Sequence, residues 1–425
     1  MSQQRGRNEF DAIVVGSGPA GATVARELSK RRKNVLILER GGNTPVKEGS
    51  PAVASILSVV KVTDDLVAPR AFTTGGTTAL YFGVVEFPPL DSFRALGIDL
   101  SEELEEAKRE LPLAVVPDEL LGAQSLRLRH SARELGYEWP TSTMMVDLAK
   151  CTTGYKAEAK WNARSYVQDA VANGATLINR AKVLRVLHDQ GEAIGVEYEV
   201  RKSKKEVEVR QAFGAKTILA AGAAASPIVL RDSGIRSVMN SGFYCHPNFA
   251  LFGLLPGMKT RDSFVGCGGA FIDDELAVGD ANFPRAFYRM FMLANRRFIR
   301  AFRHASSIGV GVMIREGLGG GLREDGRYHK QLTESDVSKL QQGEEIARRI
   351  LRQAGAKSIF KSKPAAAHVG GTIRIKEHLD ENLQTEYRNL FVCDGSVIPA
   401  NVKATPTFTL ICLAKYLARR LWNSV

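Results

Sequence analysis

No part of this chain constrains its fold more than residues 11–42, DAIVVGSGPAGATVARELSKRRKNVLILERGG. AIVV is a short β-branched run with the composition of a buried strand, and NVLILE is a second. Between them ATVARELSK sets its apolar residues at helical spacing, so the unit reads strand, turn, helix, strand. The turn carries Gly16, Ser17, Gly18, Pro19, Ala20 and Gly21. Gly16 permits a tight turn, Gly18 lets a pyrophosphate approach the backbone, and Gly21 lets the helix pack on the strand. The exposed N–H groups that open this helix favour negative charge. Glu39, closing the second strand, can accept hydrogen bonds from ribose hydroxyls. A bare GxGxxG is a weak signal, but here both strands, the helix and the acid all fit. The unit predicts a Rossmann-type dinucleotide site.

A chain of 425 residues is too long for one ordinary core, so two intertwined domains are expected. Residues 102–111 read as a polar helix stopped by Pro112, and 161–172 as another helix. Strands follow at 176–178 and 181–187. EAIGVEYEVR and KEVEVRQ alternate like two hairpin arms, and AKTILAAGA reads as one more buried strand. From about residue 236 the style changes. SSIGVGVMIRE and RYHKQLT are expected to be two strands joined by the glycine-rich GLGGGLREDG. That turn lacks the following helix and the lysine of a phosphate loop. Thr333 and Asp336 form an [ST]xx[DE] cap for a helix ending before Gly355.

Hydrophobic content of 44% and charged content of 24% describe a soluble globular protein. No apolar run reaches the roughly 18–20 residues of a membrane span. The polar start MSQQRGRNEF lacks a signal-peptide core, so a cytoplasmic location is expected. The five cysteines are scattered without metal spacing, so no metal site is expected and reduced structural thiols are. The net charge of +12 includes clusters at KRRK and RKSKK. No nucleic-acid motif accompanies them. A solvated face, an acidic electron carrier and an anionic membrane surface remain open as explanations.

Four separated stretches together resemble the glucose–methanol–choline (GMC) flavin oxidoreductases. They are GSGPAG…ERGG; TGGTTALYFG at 74–83; AAGAAASPIVLRDSGI at 220–235; and HVGGT with NLFVCDGSVIP and TPTFTLICLAKYLARRL. YCHP at 244–247 is similar to the family's His-Pro pair. The chain is short for the family. The resemblance implies an α/β fold: a Rossmann-type FAD-binding domain from 1–90, 150–235 and 365–425. Residues 91–149 and 236–364 would form an inserted substrate domain, an antiparallel sheet with helices. FAD is implied as the resident redox group, and no second GxGxxG offers a nicotinamide site.

Carried over by position, Arg40, Gly75, Gly76, Thr77, Thr78, Tyr81, Ala221, Gly222 and Gly395 join the glycine turn and Glu39 as FAD-binding residues. Val183 would meet adenine through its backbone and Asp394 the ribityl chain. Thr405 at the N-cap and Pro406 at N1 are a strong start signal for the last helix, whose N–H groups around Thr407 and Phe408 would face the flavin's pyrimidine edge. The small residues of PAAAHVGGT leave room for something large beside His368. By resemblance His368 is the catalytic base, and a neutral imidazole suits a hydroxyl proton near pH 7. His246 reads as structural. The family places His or Asn where this chain has Thr405, which can donate one hydrogen bond but cannot act as a base, so Thr405 is expected as the second catalytic residue, orienting the substrate oxygen while His368 takes the proton.

The stretch FYRMFMLANRRFIRAFRHA, 287–305, admits three readings: a core helix with snorkelling arginines, a membrane-surface helix, or a docking face for a redox partner. Its aromatic and Met residues lean towards an apolar substrate. The expectation is an FAD-dependent dehydrogenase or oxidase acting on a small-molecule CH–OH donor, with electrons leaving to an external acceptor. Lyase, isomerase or decarboxylase chemistry on the same scaffold stays open, as does a flavoprotein subunit acting through a partner.

Overall fold

The computed structural model describes residues 9–423 apart from 64, 153, 204–205 and 403–404. The polar start of the chain and two lysines of RKSKK lie outside the described residues.

The first unit forms as its pattern dictates. β1 (Phe10–Val15) and β2 (Val35–Glu39) pair in parallel, with α1 (Pro19–Lys30) crossing between them. All of β2 is buried, which a continuous apolar run requires when both faces of its sheet are covered. An antiparallel hairpin of β3 (Leu57–Lys61) and β4 (Val67–Ala71) follows. Next come α2 (Ser101–Glu110), α3 (Arg164–Ala172), β5 (Thr176–Asn179), β6 (Ala181–Asp189) and β7 (Glu192–Arg201). The helix expected from Trp161 starts only at Arg164; Trp161 packs edge-on against Tyr166 instead, with centroids 5.1 Å apart.

The sequence divides KEVEVRQ from AKTILAAGA, but in the fold they are one 13-residue strand, β8 (Val207–Leu219). Its first half runs antiparallel to β7, and its second half runs parallel to β1. Gly214 sits at the change of partner, where a Cβ would come within 2.9 Å of Ile13. The sheet order is β5-β2-β1-β8-β7-β6, with β15 (Leu390–Val392) parallel to β8. α4 (Ser226–Asp232) follows β8.

A second sheet is wholly antiparallel. It contains β9 (Pro247–Leu254), β10 (Gly269–Phe271), β11 (Leu276–Asp280), β12 (Ser307–Ile314), β13 (Lys357–Lys361) and the short β14 (Ala365–Ala366). The order is β10-β11-β12-β9-β13, with β14 also on β9. Side chains of β9 alternate between two layers. Phe249 and Leu251 join the core under α6 (Glu334–Gln353), while Ala250 and Phe252 join a second core under α5 (Arg285–Ala294). The Thr333–Asp336 capping box opens α6 with both reciprocal bonds formed.

Two further expectations need correction. β12 does not pair with the strand at RYHKQLT. Gly319 instead exchanges backbone bonds with Phe243, and the tight turn falls later, where Gly321–Leu322 pairs Tyr328–His329 around Asp325 and Gly326. The last helix, α7 (Thr407–Asn423), starts one residue late. The Leu410 N–H bonds to the Pro406 carbonyl, so Pro406 takes the N-cap place. Thr405 is released from capping. The five cysteines are free and buried. Glu27, Glu106 and Glu110 surround the buried ammonium of Lys415, an ion-pair cluster.

Candidate active site

Both sheets wall a single cavity of about 1920 Å³. Its lining includes Gly16, Ser17, Gly18, Pro19, Ala20, Glu39 and Arg40 from the first unit, then Gly76, Thr77, Thr78 and Tyr81, then Val183, Ala221 and Gly222. His368, Asp394, Gly395, Thr405, Pro406 and Thr407 complete it. Gly21, Gly75 and Phe408 stand behind the wall; Phe408 packs edge-on against Phe87 at 5.2 Å.

At one end the backbone forms a cradle. Gly16 has φ +102°, and a Cβ there would lie 2.3 Å from the Ala220 carbonyl oxygen, so no other residue fits without strain. Gly76, at φ +58°, lies so close that a Cβ would reach within 2.9 Å of the Gly18 Cα. A Cβ on Gly18 would meet nothing within 4 Å, which is the opening a pyrophosphate needs. Glu39 accepts from the Ser17 N–H (3.1 Å) and hydroxyl (2.5 Å) and from the Gly41 N–H (2.6 Å). Three donors leave its carboxylate room for a ribose hydroxyl. The guanidinium groups of Arg40 and Arg70 both lie over the Phe72 ring, at 4.3 and 4.7 Å. Burial, then the charge of Arg40, lowers Arg70 to about 10.

Asp394 lines the cavity and is also tied into the protein. It accepts from the Gly222 N–H, the Ser226 hydroxyl, and both the N–H and hydroxyl of Ser396, at 2.5–2.9 Å. Four donors fill its acceptor positions, so it ties the turn after β8 to the 394–397 turn. A ribityl hydroxyl would have to displace one of them. Thr405 donates its hydroxyl to the Val84 carbonyl at 2.9 Å, so its one proton is committed there.

His368 borders the cavity, and its Nδ1 lies 3.3 Å from Nδ1 of His246. Among the described residues no hydrogen bond engages its Nε2. Its ring is half-buried yet deep within the fold, and that burial pushes its pKa down to about 4. His246 is buried and held at φ +44°, an unusual conformation for histidine. Burial first, then His368, Arg315 and Lys330, lower its pKa well below the usual histidine range. Its ring stacks on Tyr244, with centroids 4.7 Å apart. Tyr244 in turn occupies the space over Gly370: a Cβ there would lie 2.3 Å from its hydroxyl. The glycine of HVGGT therefore makes room for the ring that supports the histidine pair.

Sequence reasoning missed what clamps this pair. Glu316 accepts from the N–H groups of Cys245 and His246, at 2.5 and 3.0 Å. Lys330 donates to Glu316 (2.9 Å) and to the carbonyls of Phe243 and Gly317, both at 2.7 Å. Both side chains are sealed from solvent. His246 reads as a structural turn residue in the sequence; the fold puts it in direct contact with His368. Its Tyr-Cys-His-Pro setting gave no hint of this, because the contact is 122 residues away in the chain.

The remaining wall is apolar. Phe82, Val265, Phe283, Phe287, Met290 and Phe291 line it, and several of the rings meet edge to face. The stretch at 287–305 is thus partly a cavity wall: α5 buries Tyr288 and Met292 in the core and turns Phe287, Met290 and Phe291 to the cavity.

A family model described as GMC oxidoreductase matches residues 98–248, and one for an NAD(P)-binding Rossmann-like domain matches 14–44. An uncharacterised GMC-type oxidoreductase of Mycobacterium tuberculosis is 30% identical over 274 residues, 57% of this chain and 42% of that protein. The match thus spans less than half of that relative's length. A long-chain-alcohol oxidase of Arabidopsis thaliana is 22% identical, covering 99% of this chain and 68% of its own. Among solved structures, pyridoxine 4-oxidase from Mesorbium loti superposes with TM-score 0.73 at 15% identity, covering 97% of this chain and 99% of that one. A formate oxidase of Aspergillus oryzae studied for FAD modification gives TM-score 0.72 at 15% identity, covering 97% and 98%. The chain thus carries a match to a GMC oxidoreductase domain, resembles GMC-type oxidoreductases in sequence, and shares the fold of pyridoxine 4-oxidase and formate oxidase.

Proposed function

We propose that this chain holds FAD in the glycine-lined end of the cavity and oxidises a CH–OH group of an apolar substrate, with His368 receiving the hydroxyl proton. The residues fit the cofactor. The open face of Gly18, the close approach of Gly76, the spare acceptor on Glu39 and the N-terminus of α1 together suit a dinucleotide. The first N–H groups of α7 have no acceptor within their own helix, and Thr407 brings them to the cavity. Bound FAD would supply the hydride acceptor, and electrons would pass on to an external acceptor.

The observation that carries the reading is the His246–His368 contact on the wall of the same cavity as the cradle. Two Nδ1 atoms at 3.3 Å require one to donate and one to accept. When His368 donates, its Nε2 carries a lone pair, which is the form a base needs. The lowered pKa keeps that imidazole neutral and ready at pH 7. The tautomer places the other proton on His246 Nε2, a buried atom without a hydrogen-bond partner among the described residues. Thr405 acts here as a tether of the α7 entrance to Val84 and leaves the proton to His368.

The apolar wall, and the long-chain-alcohol oxidases among the relatives, support a lipophilic alcohol as donor. The test is anaerobic titration of the FAD-loaded protein with primary alcohols of increasing chain length. Loss of the oxidised-flavin absorbance, strengthening with chain length, is expected. A panel that leaves the flavin oxidised throughout would sink the reading, and turnover without any flavin change would point to non-redox chemistry on the same scaffold.

A further inference from the structure

The stretch from Arg285 to Ala305 contains six arginines, 285, 289, 296, 297, 300 and 303, and no acidic residue. Among the described residues none of the six forms an ion pair with a carboxylate. Just beyond the end of α5 the apolar side chains stop facing inward. Phe298 is 62% exposed, Ile299 80% and Phe302 78%. Large apolar groups so open to water are costly to leave uncovered. They alternate with guanidinium groups along one short segment, RRFIRAFR.

We infer that this segment docks the protein on an anionic lipid surface. Phe298, Ile299 and Phe302 would enter the acyl boundary while Arg296 and Arg303 meet lipid phosphates. No helix among the described residues is long and apolar enough to cross a membrane. Charge complementarity alone would also admit an acidic carrier protein. The lipid surface is favoured because one continuous segment serves both ends of a path. α5 exposes its continuation outside and lines the apolar cavity with Phe287, Met290 and Phe291 inside. A substrate dissolved in the bilayer would enter beside the docked segment. That last clause rests on the reading of an apolar alcohol; the docking itself does not.

The test uses the full FAD-loaded chain and vesicles of phosphatidylcholine with or without phosphatidylserine. Arg297 and Arg300 are avoided, because they pack over Phe360. The wild type is expected to sediment with phosphatidylserine vesicles at low salt, less so at high salt. Arg296→Gln with Arg303→Gln should weaken partition about fivefold per cation removed. Ile299→Ser with Phe302→Ser should abolish it, while turnover of a short water-soluble alcohol stays unchanged. Equal sedimentation of variants and wild type, or none for either, overturns the inference. So does retention of an acidic carrier protein through these residues without vesicle binding. If vesicles bind but no alcohol reduces the flavin, the docking stands and the proposed chemistry falls. If a soluble alcohol reduces the flavin but vesicles never bind, the reverse holds.

Discussion

The pH dependence of the reductive step follows from where His368 sits. Its base function needs the neutral imidazole, and burial lowers its pKa from 6.5 to about 4. At pH 5 a group of pKa about 4 is roughly 90% neutral, whereas an unshifted imidazole would be about 3% neutral. Burial is the cause of that shift, and the charged groups close by act on the neighbouring His246. His246 lies against the ring, Arg315 is positive, and Lys330 is matched by Glu316. The single-turnover rate of flavin bleaching, followed anaerobically by stopped flow from pH 4.5 to 8, should stay nearly level down to pH 5 and fall below it. The fold itself should weaken sooner. A lowered folded-state pKa means that the unfolded chain binds the extra proton first, so stability declines as pH drops from 6.5 towards 4. Because the ring borders an open cavity, about 1–2 kcal/mol is a fair share for His368 after screening. A rate that halves near pH 6.5 in intact protein would refute the reasoning, since it would mean an imidazole in ordinary solvation.

Other residues give independent checks. His246→Phe should retain the fold by circular dichroism yet slow single-turnover reduction about a hundredfold or more, because nothing then fixes the His368 tautomer; a change confined to KM would assign His246 to packing. Lys330→Met leaves the Glu316 carboxylate buried with two N–H donors, and chemical denaturation should show a loss of about 3–5 kcal/mol. Thr405→Val removes the bond to Val84, so a loss of about 1 kcal/mol with kcat nearly intact is expected. A drop in kcat beyond tenfold would show instead that the hydroxyl serves the substrate.

Local rules carried much of this molecule into its sequence. The glycine turn, the buried run of β2 and the Thr333 capping box depend on neighbours a few residues away, so pattern and backbone sterics were enough to foresee them. Motif order did the same for the cavity-lining positions, from Gly16 to Thr407. Other features are long-range choices. Whether β8 is one strand or two depends on its having two partners from different parts of the chain, and no local signal records that. Asp394 reads as a ligand residue, and only the fold shows that its carboxylate also takes four donors from the protein. His246 looks like a turn residue until a buried Glu316–Lys330 pair turns its ring onto His368. Which polar groups spend their hydrogen bonds on the protein, and which keep them for a ligand, is settled only by contacts between distant segments. Sequence alone determined the glycine turn and most of the elements; tertiary packing decided strand partners, some element limits and which side chains were left free to act.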